Sequence, residues 1–270
     1  MKNKVVLITG GSSGLGKSIG VYLKEKGYVV YGTTRSKEKY PGFNSFPLLE
    51  MDVRHPKSVQ SAIEELLKHE DHIDVLVNNA GVGITGPLEE TPHDAILNAF
   101  NTNFNGPLHV IKAVLPTMRQ QQSGLIINIT SIAGYMGLPF RGIYSATKGA
   151  LGTLSEAMRL ETKSFGIHIT TLAPGDFATN IASGRYHAPV VKGSPYEKSY
   201  GAVLNAIDAD VDSGGNPVAV AKKVYEIMQR KHPKVHYTVG EPLQRLSVLL
   251  KRVLPGRWFE RLLASHVQKN

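Results

Sequence analysis

Short apolar runs rich in Val, Ile and Thr recur along the chain, with room for a helix between most of them. Five are nearly continuous: VVLIT (5–9), YVVYG (28–32), DVLVN (74–78), LIINIT (125–130) and HITTLA (168–173). Strands that are apolar on both faces are typical of a parallel sheet that is covered on both sides. Residues 46–53 are a candidate third strand, and residues 235–239 a candidate late edge strand.

The segments between these runs have helical periodicity. In residues 108–118, apolar side chains recur every three or four positions, at Leu108, Ile111, Leu115 and Met118. Alternating strands and helices predict β-α-β crossovers, and therefore a single-domain α/β fold with a doubly wound parallel sheet. We assign residues 1–242 to this domain and residues 243–270 to a tail. The segment from Thr179 to about Asn216 is rich in Gly, Ser and Pro and predicts an irregular, flexible substrate flap.

Composition narrows the chemistry. The 270 residues include no cysteine, which excludes disulfides, thiolate nucleophiles and cysteine-ligated zinc. The N-terminus shows no cleavable signal pattern, and no run of eighteen apolar residues occurs, so we expect a cytoplasmic protein. The net charge of +9 raises nucleic acid as a partner, but +4 of it lies in residues 241–270 and no recognition motif is present. We therefore expect no nucleic-acid partner and no metal.

The sequence TGGSSGLG (9–16) directly follows the first predicted strand. Glycines let the backbone turn tightly and approach a pyrophosphate, while the next helix presents its N-terminal N–H groups to that anion. The spacing of the glycines differs from the commoner G-x-G-x-x-G pattern. The candidate cofactor-binding residues of this turn are Gly10, Ser12, Ser13, Gly14, Leu15 and Gly16.

The end of the second predicted strand indicates which dinucleotide binds. A carboxylate there would accept hydrogen bonds from the ribose hydroxyls of NAD(H), but Thr34 occupies that place and Arg35 follows it. A guanidinium suits a 2′-phosphate, so the pattern favours NADP(H) over NAD(H), although Arg35 could also be an ordinary surface residue. Asp52, followed by Val53, could accept from the adenine amino group or cap the next turn.

Distinctive residues also follow the later predicted strands. Asn79, Ala80 and Gly81 let a ligand lie against the backbone, although the asparagine could equally satisfy buried backbone groups. Ser131 follows the next strand, and the last of these strands is followed by the cofactor-binding candidates Pro174, Gly175 and Thr179. Because ligands of a doubly wound sheet bind at the carboxyl ends of its strands, we expect these residues to converge.

Two Tyr-x-x-x-Lys pairs occur, Tyr22 with Lys26 and Tyr144 with Lys148. Residues four positions apart share a helix face, so either pair could join a phenol to an ammonium group. Only Tyr144 belongs to a helix that follows a strand ending in a hydroxyl, that of Ser131. We therefore take Tyr144 and Lys148 as the functional pair and Tyr22 as packing or surface.

Together, TGGSSGLG, NNAG, Ser131, YSATK and PGDFAT resemble the short-chain dehydrogenase/reductase superfamily over residues 4 to about 240. The resemblance implies a Rossmann-type fold, a nicotinamide cofactor and an alcohol–carbonyl reaction. It also implies that Tyr144 and Lys148 contact the cofactor, that Ser131 holds the substrate oxygen, and that Thr179 orients the carboxamide. A family asparagine that holds a relay water matches Asn103, with Asn101 and Asn105 as rivals.

We expect Tyr144 to act as the acid, with a pKa lowered by Lys148 and by the oxidised nicotinamide. The branch that this chain resembles suggests a lipophilic ketone or aldehyde as substrate, but Arg185, His187 and Lys192 could instead receive an acidic or acyl-carrier substrate. A non-enzymatic NADP(H)-binding regulator or scaffold is a further alternative. The candidate pocket residues are Val82, Ile84, Leu138, Phe140 and Tyr186.

The C-terminal tail has two amphipathic stretches separated by Pro255-Gly256. Their apolar positions are Leu243, Leu246, Leu250 and Val253, then Trp258, Phe259, Leu262 and Leu263, beside Arg257 and Arg261. Basic amphipathic helices can lie on a membrane surface. Alternatively the apolar face packs on the body, covers the pocket or joins a subunit. We expect a homo-oligomer, either a dimer or a tetramer.

Overall fold

A seven-stranded parallel sheet forms the centre of the protein. The computed structural model describes residues 3–177, 185–213 and 215–267. The strands of the sheet are β1 (Val5–Ile8), β2 (Val29–Thr34), β3 (Leu48–Glu50), β4 (Val75–Asn78), β6 (Gly124–Ile129), β7 (Ile167–Pro174) and β9 (His236–Val239). Their spatial order is β3-β2-β1-β4-β6-β7-β9, and every pairing is parallel. Two short strands, β5 (Ile84–Thr85) and β8 (Tyr186–His187), pair separately.

Helices connect the strands and cover the sheet. They are α1 (Gly14–Glu25), α2 (Pro56–His69), α3 (His93–Phe100), α4 (Gly106–Gln121), α5 (Gly142–Glu161), α6 (Glu197–Ser213), α7 (Val218–Met228), α8 (Pro242–Val253) and α9 (Gly256–Val267). The chain order reverses direction between β1 and β4, which is the switch point where a doubly wound sheet binds its ligand. The predicted Rossmann-type, single-domain fold is confirmed.

Alternation along β1 shows how the two faces of the sheet are filled. Val5 and Leu7 pack into a buried cluster with side chains of α2 and α4, while Val6 and Ile8 pack into a second cluster with α1 and α7. All four side chains have no exposed surface. The apolar runs of the sequence are nearly continuous because both faces of the strand are covered.

The expectation of an irregular segment over residues 179–216 is wrong in part. Helix α6 lies inside this segment, and Tyr200 in its first half is fully buried. The Tyr200 hydroxyl donates to the Ala188 carbonyl at 2.8 Å, which ties the helix to the chain after β8. Tyr196, Tyr200 and Leu204 recur every four positions, and the surrounding Gly, Ser and Pro obscured that helical period.

The C-terminal tail folds as helices α8 and α9 against the body. Val248 and Phe259 are buried in a small cluster with Ile132, Met136 and Ala173. The apolar positions that the sequence groups into one stripe do not all pack: residues such as Leu243, Leu246 and Val253 stay exposed. Within the described ranges, no helix combines the length and apolar character that a membrane crossing requires.

Candidate active site

The glycine-rich turn is held between β1 and the ends of two neighbouring strands. Gly10 has a φ of +64°, a left-handed conformation that favours glycine. A Cβ atom at Gly16 would lie 2.2 Å from the Gly10 carbonyl oxygen, so α1 can begin this close to the turn only with glycine there. The Thr33 hydroxyl accepts from the Gly10 N–H at 3.1 Å and anchors the turn to β2.

The N-terminus of α1 can receive an anion. Ser13 stands at the N-cap in an extended conformation and makes no side-chain capping hydrogen bond, and the first turn carries no acidic residue. A helix start with uncapped N–H groups attracts phosphate through hydrogen bonds and the helix dipole. The residues present therefore fit a dinucleotide pyrophosphate.

A groove of about 440 Å³ runs beside this helix start. Its lining consists of Ser12, Ser13, Gly14, Lys17, Lys39, Tyr40, Pro41, Gly42 and Phe43. Sequence reasoning selected the first three of these residues and missed both lysines. Lys17 stands one position after the glycine motif, on the first turn of α1, and that adjacency was the available signal.

Of the candidate residues after β2 and β3, one is exposed and the other accepts hydrogen bonds. Arg35 directly follows β2 and its side chain is exposed. Asp52 accepts from Arg54 through the backbone N–H at 3.0 Å and through the guanidinium Nη2 at 2.6 Å, and this hydrogen bonding holds the pKa of Asp52 below its usual range. Capping of the next turn, one of the two expected roles of Asp52, is therefore present. The Val53 carbonyl oxygen lies 2.9 Å from His109 Nδ1, within hydrogen-bonding distance.

The segment after β4 is fastened to the glycine-rich turn. The Asn79 amide Nδ2 donates to the Thr9 carbonyl at 2.9 Å and to the Gly10 carbonyl at 3.2 Å. The Thr9 hydroxyl in turn accepts from the backbone N–H of Asn79 and of Ala80. Asn79 thus satisfies backbone groups, as its alternative interpretation supposed, and links the segment after β4 to the glycine-rich turn.

Among the three candidate asparagines, only Asn103 lies in the interior of the site. Asn101–Asn105 form one π-helical turn between α3 and α4. Asn103 is fully buried, whereas the Asn105 amide donates to the Asn101 side chain at 2.9 Å in an exposed pair. π-helical turns occur frequently at functional sites.

Both polar atoms of the Asn103 side-chain amide form hydrogen bonds. Its Oδ1 accepts from the Val82 N–H at 2.8 Å, and its Nδ2 donates to the Val82 carbonyl at 2.9 Å and to the Thr147 hydroxyl at 3.1 Å. The side chain therefore joins the strand-end segment to α5. Its role in a water relay stays a prediction.

Lys148 is buried beside this asparagine. Only 6% of the residue is exposed, and its Nζ donates to the Ile129 carbonyl at 3.0 Å. A Cβ atom on Gly81 would lie 3.4 Å from this Nζ and 3.2 Å from Asn103 Oδ1, so the three residues meet at one point. Burial lowers the pKa of Lys148 from 10.5 to about 8.

Ser131 and Tyr144 come together because a glycine lets their elements approach closely. Ser131 begins a 3₁₀ turn, and its Oγ accepts from the Ala133 N–H at 3.1 Å. A Cβ atom on Gly134 in this turn would lie 3.0 Å from the Lys148 carbonyl carbon, so the turn packs directly on α5. A hydrogen bond from the Ser131 side chain acts to lower the pKa of Tyr144, so the two side chains are neighbours in the site.

The pKa of Tyr144 is raised, contrary to the expected lowering. Burial is the largest cause, and Asp176 adds to it. Arg141, the hydrogen bond from Ser131, and Arg185 oppose the rise in that order. Among the described residues, burial outweighs the favourable charges, so the phenol stays protonated at neutral pH.

Lys148 does not supply the expected electrostatic help within the described structure. Its Nζ lies 6.0 Å from the centre of the Tyr144 ring and is directed to the Ile129 carbonyl instead. Two arginines that sequence reasoning did not assign to this task act in its place. The Arg141 guanidinium lies 5.8 Å from the same ring centre. Its position three residues before Tyr144 could have indicated this contact.

Arg141 follows a strained residue. Phe140 has a φ of +58°, which is uncommon outside glycine, and its carbonyl accepts from the Gly86 N–H at 2.8 Å. Its ring packs 5.4 Å from the Tyr200 ring centre. Such strain is typical of segments that a site holds in place. The candidate pocket residues Ile84 and Tyr186 lie close by, because β5 pairs with β8.

The carboxyl end of β7 lies beneath helix α8. Pro174 ends the strand, and the Gly175 N–H donates to the Val239 carbonyl at 2.8 Å. Gln244 of α8 donates through Nε2 to Asp176 Oδ2 at 2.9 Å. Thr179, the candidate carboxamide ligand, lies outside the described residues.

The second tyrosine–lysine pair, Tyr22 with Lys26, packs against another helix. The Tyr22 ring packs edge to face against Tyr225, with 5.9 Å between ring centres, and Lys26 Nζ lies 5.4 Å from the Tyr22 ring centre. This pair lies on α1 and against α7. The interpretation of Tyr22 as a packing residue is confirmed.

Comparison with known families agrees with the fold. The model of the short chain dehydrogenase family matches residues 4–189. The chain therefore belongs to this family of oxidoreductases.

Curated relatives and solved structures extend the likeness over nearly the whole chain. The 3-ketodihydrosphingosine reductase of Bacteroides thetaiotaomicron is 37% identical over 96% of each chain. Dehydrogenase/reductase SDR family member 7B of Bos taurus is 30% identical over all of this chain and 83% of its own length. A short-chain dehydrogenase from Streptomyces avermitilis superposes with a TM-score of 0.82 at 29% identity, covering 93% of this chain and 94% of its own. ElxO with NADP bound gives a TM-score of 0.72 at 27% identity, over 88% and 97% of the chains.

Proposed function

We propose that the protein is an NADPH-dependent carbonyl reductase in which Tyr144 donates the proton. One observation carries the proposal: Ser131, Tyr144, Lys148 and Asn103 converge at the carboxyl edge of the sheet. The same edge carries the glycine-rich turn and the uncapped start of α1. An anion site and a proton donor at one sheet edge suit a dinucleotide reductase.

The reaction places different demands on the two ionisable side chains. A bound nicotinamide would supply the hydride to the carbonyl carbon, and negative charge then develops on the carbonyl oxygen. Tyr144, whose pKa is raised by burial, is protonated at neutral pH and can donate to that oxygen. Ser131 can hold the same oxygen by a hydrogen bond. Arg141 and Arg185 can stabilise the phenolate that proton transfer leaves behind, while Lys148, which is cationic below about pH 8, can hold the cofactor.

Three basic side chains support NADP(H) as the cofactor. Lys17 and Lys39 line the groove beside the start of α1, and Arg35 follows the strand where a carboxylate would favour NAD(H). A 2′-phosphate needs positive charge at this place, whereas two ribose hydroxyls do not. The similar ElxO structure contains NADP, which agrees with this preference.

We infer a lipophilic ketone as the substrate class. The relative from Bacteroides thetaiotaomicron is named for a ketone, 3-ketodihydrosphingosine. An acidic or acyl-carrier substrate is a second candidate, because Arg141 and Arg185 both act electrostatically on Tyr144. Two guanidinium groups near Tyr144 would attract a substrate carboxylate or phosphate.

The test is NADPH consumption with a matched panel of ketones. The panel pairs 3-ketodihydrosphingosine and an uncharged long-chain ketone with a 3-oxoacyl substrate of equal chain length that carries an anionic group. We expect turnover with the lipophilic ketones and formation of the secondary alcohol. Preference for the anionic member would favour the second candidate. Absence of turnover with every member, while NADPH still binds, would favour a non-enzymatic regulator.

A further inference from the structure

Helices α8 and α9 carry an exposed apolar surface, which we call the outer tail face. It consists of Leu243, Leu246, Leu249, Val253, Trp258 and Leu262, each between 44% and 65% exposed. In α8 these residues recur every three or four positions, and in α9 Trp258 and Leu262 are four apart, so each helix presents one apolar side. Contiguous exposed apolar surface rimmed by polar residues marks an interaction site.

The outer tail face belongs to folded helices rather than to a loose end. Val248 of α8 and Phe259 of α9 are 8% and 3% exposed and lie in the cluster that also holds Ile132 and Ala173. Lys251 Nζ lies 5.0 Å from the Phe259 ring centre and links the two helices. The body therefore holds both helices by other side chains, and the side chains of the outer tail face remain partly exposed.

The charges around this face decide between two occupants. Residues 243–263 contain five basic side chains and one acidic side chain, so their net charge is +4. The five are Arg245, Lys251, Arg252, Arg257 and Arg261, and all are exposed. A second copy joined through the same face by two-fold symmetry would bring two such clusters together, which is repulsive. An anionic lipid surface would attract them.

We propose that the outer tail face docks the protein onto the surface of an anionic lipid bilayer. Trp258 is suited to this place, because tryptophan combines an apolar ring with an N–H donor and is enriched at the membrane–water interface. Leucine side chains beside arginines are typical of helices that lie in the plane of the interface.

The docking surface lies at the same sheet edge as Tyr144. On the inner side of α8, Gln244 hydrogen-bonds Asp176, and Asp176 acts electrostatically on Tyr144. Helix α8 therefore joins the outer tail face to the neighbourhood of the candidate active site. The inference concerns binding alone, so it can fail or hold whatever the outcome of the reductase test.

Trp258 gives a direct reporter, because it is the single tryptophan of the chain. The experiment titrates the full-length protein with vesicles of phosphatidylcholine and phosphatidylserine, and with vesicles of phosphatidylcholine alone. Sedimentation measures binding, and the tryptophan emission measures whether Trp258 enters the lipid. We expect binding to the anionic vesicles at least about tenfold tighter than to the neutral ones, with emission moving to shorter wavelength. Raising salt from about 0.1 M to about 1 M should release the protein.

Substitutions on the surface separate docking from folding. Leu246→Ser with Leu249→Ser should weaken vesicle binding about tenfold or more, since each leucine loses apolar burial. Leu160→Ser is the matched control, because Leu160 is 76% exposed near the end of α5. It should bind as the wild type does.

Two double variants test whether vesicle binding requires the positive charges of the tail. Arg257→Gln with Arg261→Gln should weaken binding to anionic vesicles roughly 30-fold, which corresponds to about 2 kcal/mol at about 1 kcal/mol per basic residue. Lys57→Gln with Lys68→Gln, which removes two exposed charges from α2, should have no such effect.

Three results would overturn the proposal. The first is wild-type protein that stays in the supernatant with anionic vesicles at low salt. The second is equal binding by the leucine variant and the wild type. The third is a lipid-free dimer, measured by analytical ultracentrifugation, that the leucine variant loses, because a second copy would then occupy the face.

Discussion

Replacing Lys148 by methionine should stabilise the folded protein while removing its activity. The Lys148 ammonium group is buried and donates only one hydrogen bond that the structure describes, to the Ile129 carbonyl at 3.0 Å. Methionine has an unbranched side chain of similar length, is apolar and carries no charge. A residue retained for chemistry often costs stability in this way.

The magnitude follows from the pKa of Lys148, which burial lowers from 10.5 to about 8. This difference corresponds to about 3 kcal/mol that the charged form costs the folded state. The lost hydrogen bond to Ile129 offsets about 1–2 kcal/mol of the gain. We therefore expect Lys148→Met to be more stable than the wild type by about 1–2 kcal/mol at about pH 7.

The pH dependence gives a sharper result than the stability at one pH. Below about pH 8 the lysine is charged in both the folded and the unfolded state, so the wild type carries the full cost. Between that pH and 10.5 the unfolded state binds more protons than the folded state, and wild-type stability from this group rises. The advantage of Lys148→Met should therefore shrink over this range and vanish or reverse near its upper end.

Urea denaturation of both proteins from about pH 7 to about pH 10 measures this difference. Lys57→Met, which removes an exposed lysine from α2, is the control for the loss of one charge. A stability difference between Lys148→Met and the wild type that does not change with pH would refute the reasoning. So would a variant that is destabilised at neutral pH.

Three further predictions concern the cofactor and the proton donor. Gly16→Ala should abolish NADPH binding and lower the melting temperature by several degrees, because its Cβ would lie 2.2 Å from a carbonyl oxygen of the same turn. Gly152→Ala is the control: a Cβ atom there would have no atom within 4 Å, so this change should be neutral or slightly stabilising. Arg35→Ala should raise KM for NADPH about tenfold and leave KM for NADH nearly unchanged, and equal changes would make the arginine incidental. Arg141→Met should raise the pKa of Tyr144 further, because a nearby positive charge is lost. A spectrophotometric titration of the tyrosine phenols would show this as ionisation at higher pH than in the wild type, and an unchanged titration would contradict the assigned charge effect.

The sheet could be predicted because its strands are covered on both faces. Runs such as 5–9 and 125–130 are almost entirely apolar, and glycine-rich or small polar residues end them. The carboxyl ends of parallel strands meet at one edge, so Ser131, with Asn103 added by the family resemblance, could be grouped with Tyr144 before any distance was known. The structure brings the first and last of these together and buries Asn103 beside Lys148.

Other features depend on contacts that no local pattern contains. Strands β5 and β8 have two residues each, too few for any periodicity to appear. The pKa of Tyr144 depends on burial in the folded protein and on charges distant in sequence, with Asp176 raising it and Arg185 lowering it. Lys39 reaches the groove from the segment after β2, which the sequence could place at the correct edge but could not orient.

In the C-terminal tail, the sequence predicts the helices but not which side of each packs on the body. The sequence identifies its amphipathic helices, but helical spacing alone does not say which apolar side meets the body. Val248 and Phe259 turned out to be the anchors, whereas Leu243 and Val253 face outward. The choice depends on the shape of the surface around Ile132, which only tertiary packing defines.

The central claim is that the Tyr144 hydroxyl delivers the proton, and the most direct measurement compares two single-atom deletions. Tyr144→Phe and Tyr22→Phe each remove one phenol oxygen from a Tyr-x-x-x-Lys pair, and NADPH oxidation and NADPH binding are measured for both. The account predicts that Tyr144→Phe loses about 10²- to 10⁴-fold in kcat with NADPH binding retained, while Tyr22→Phe reacts as the wild type. A Tyr144→Phe enzyme whose kcat stays within about threefold of the wild type would contradict it.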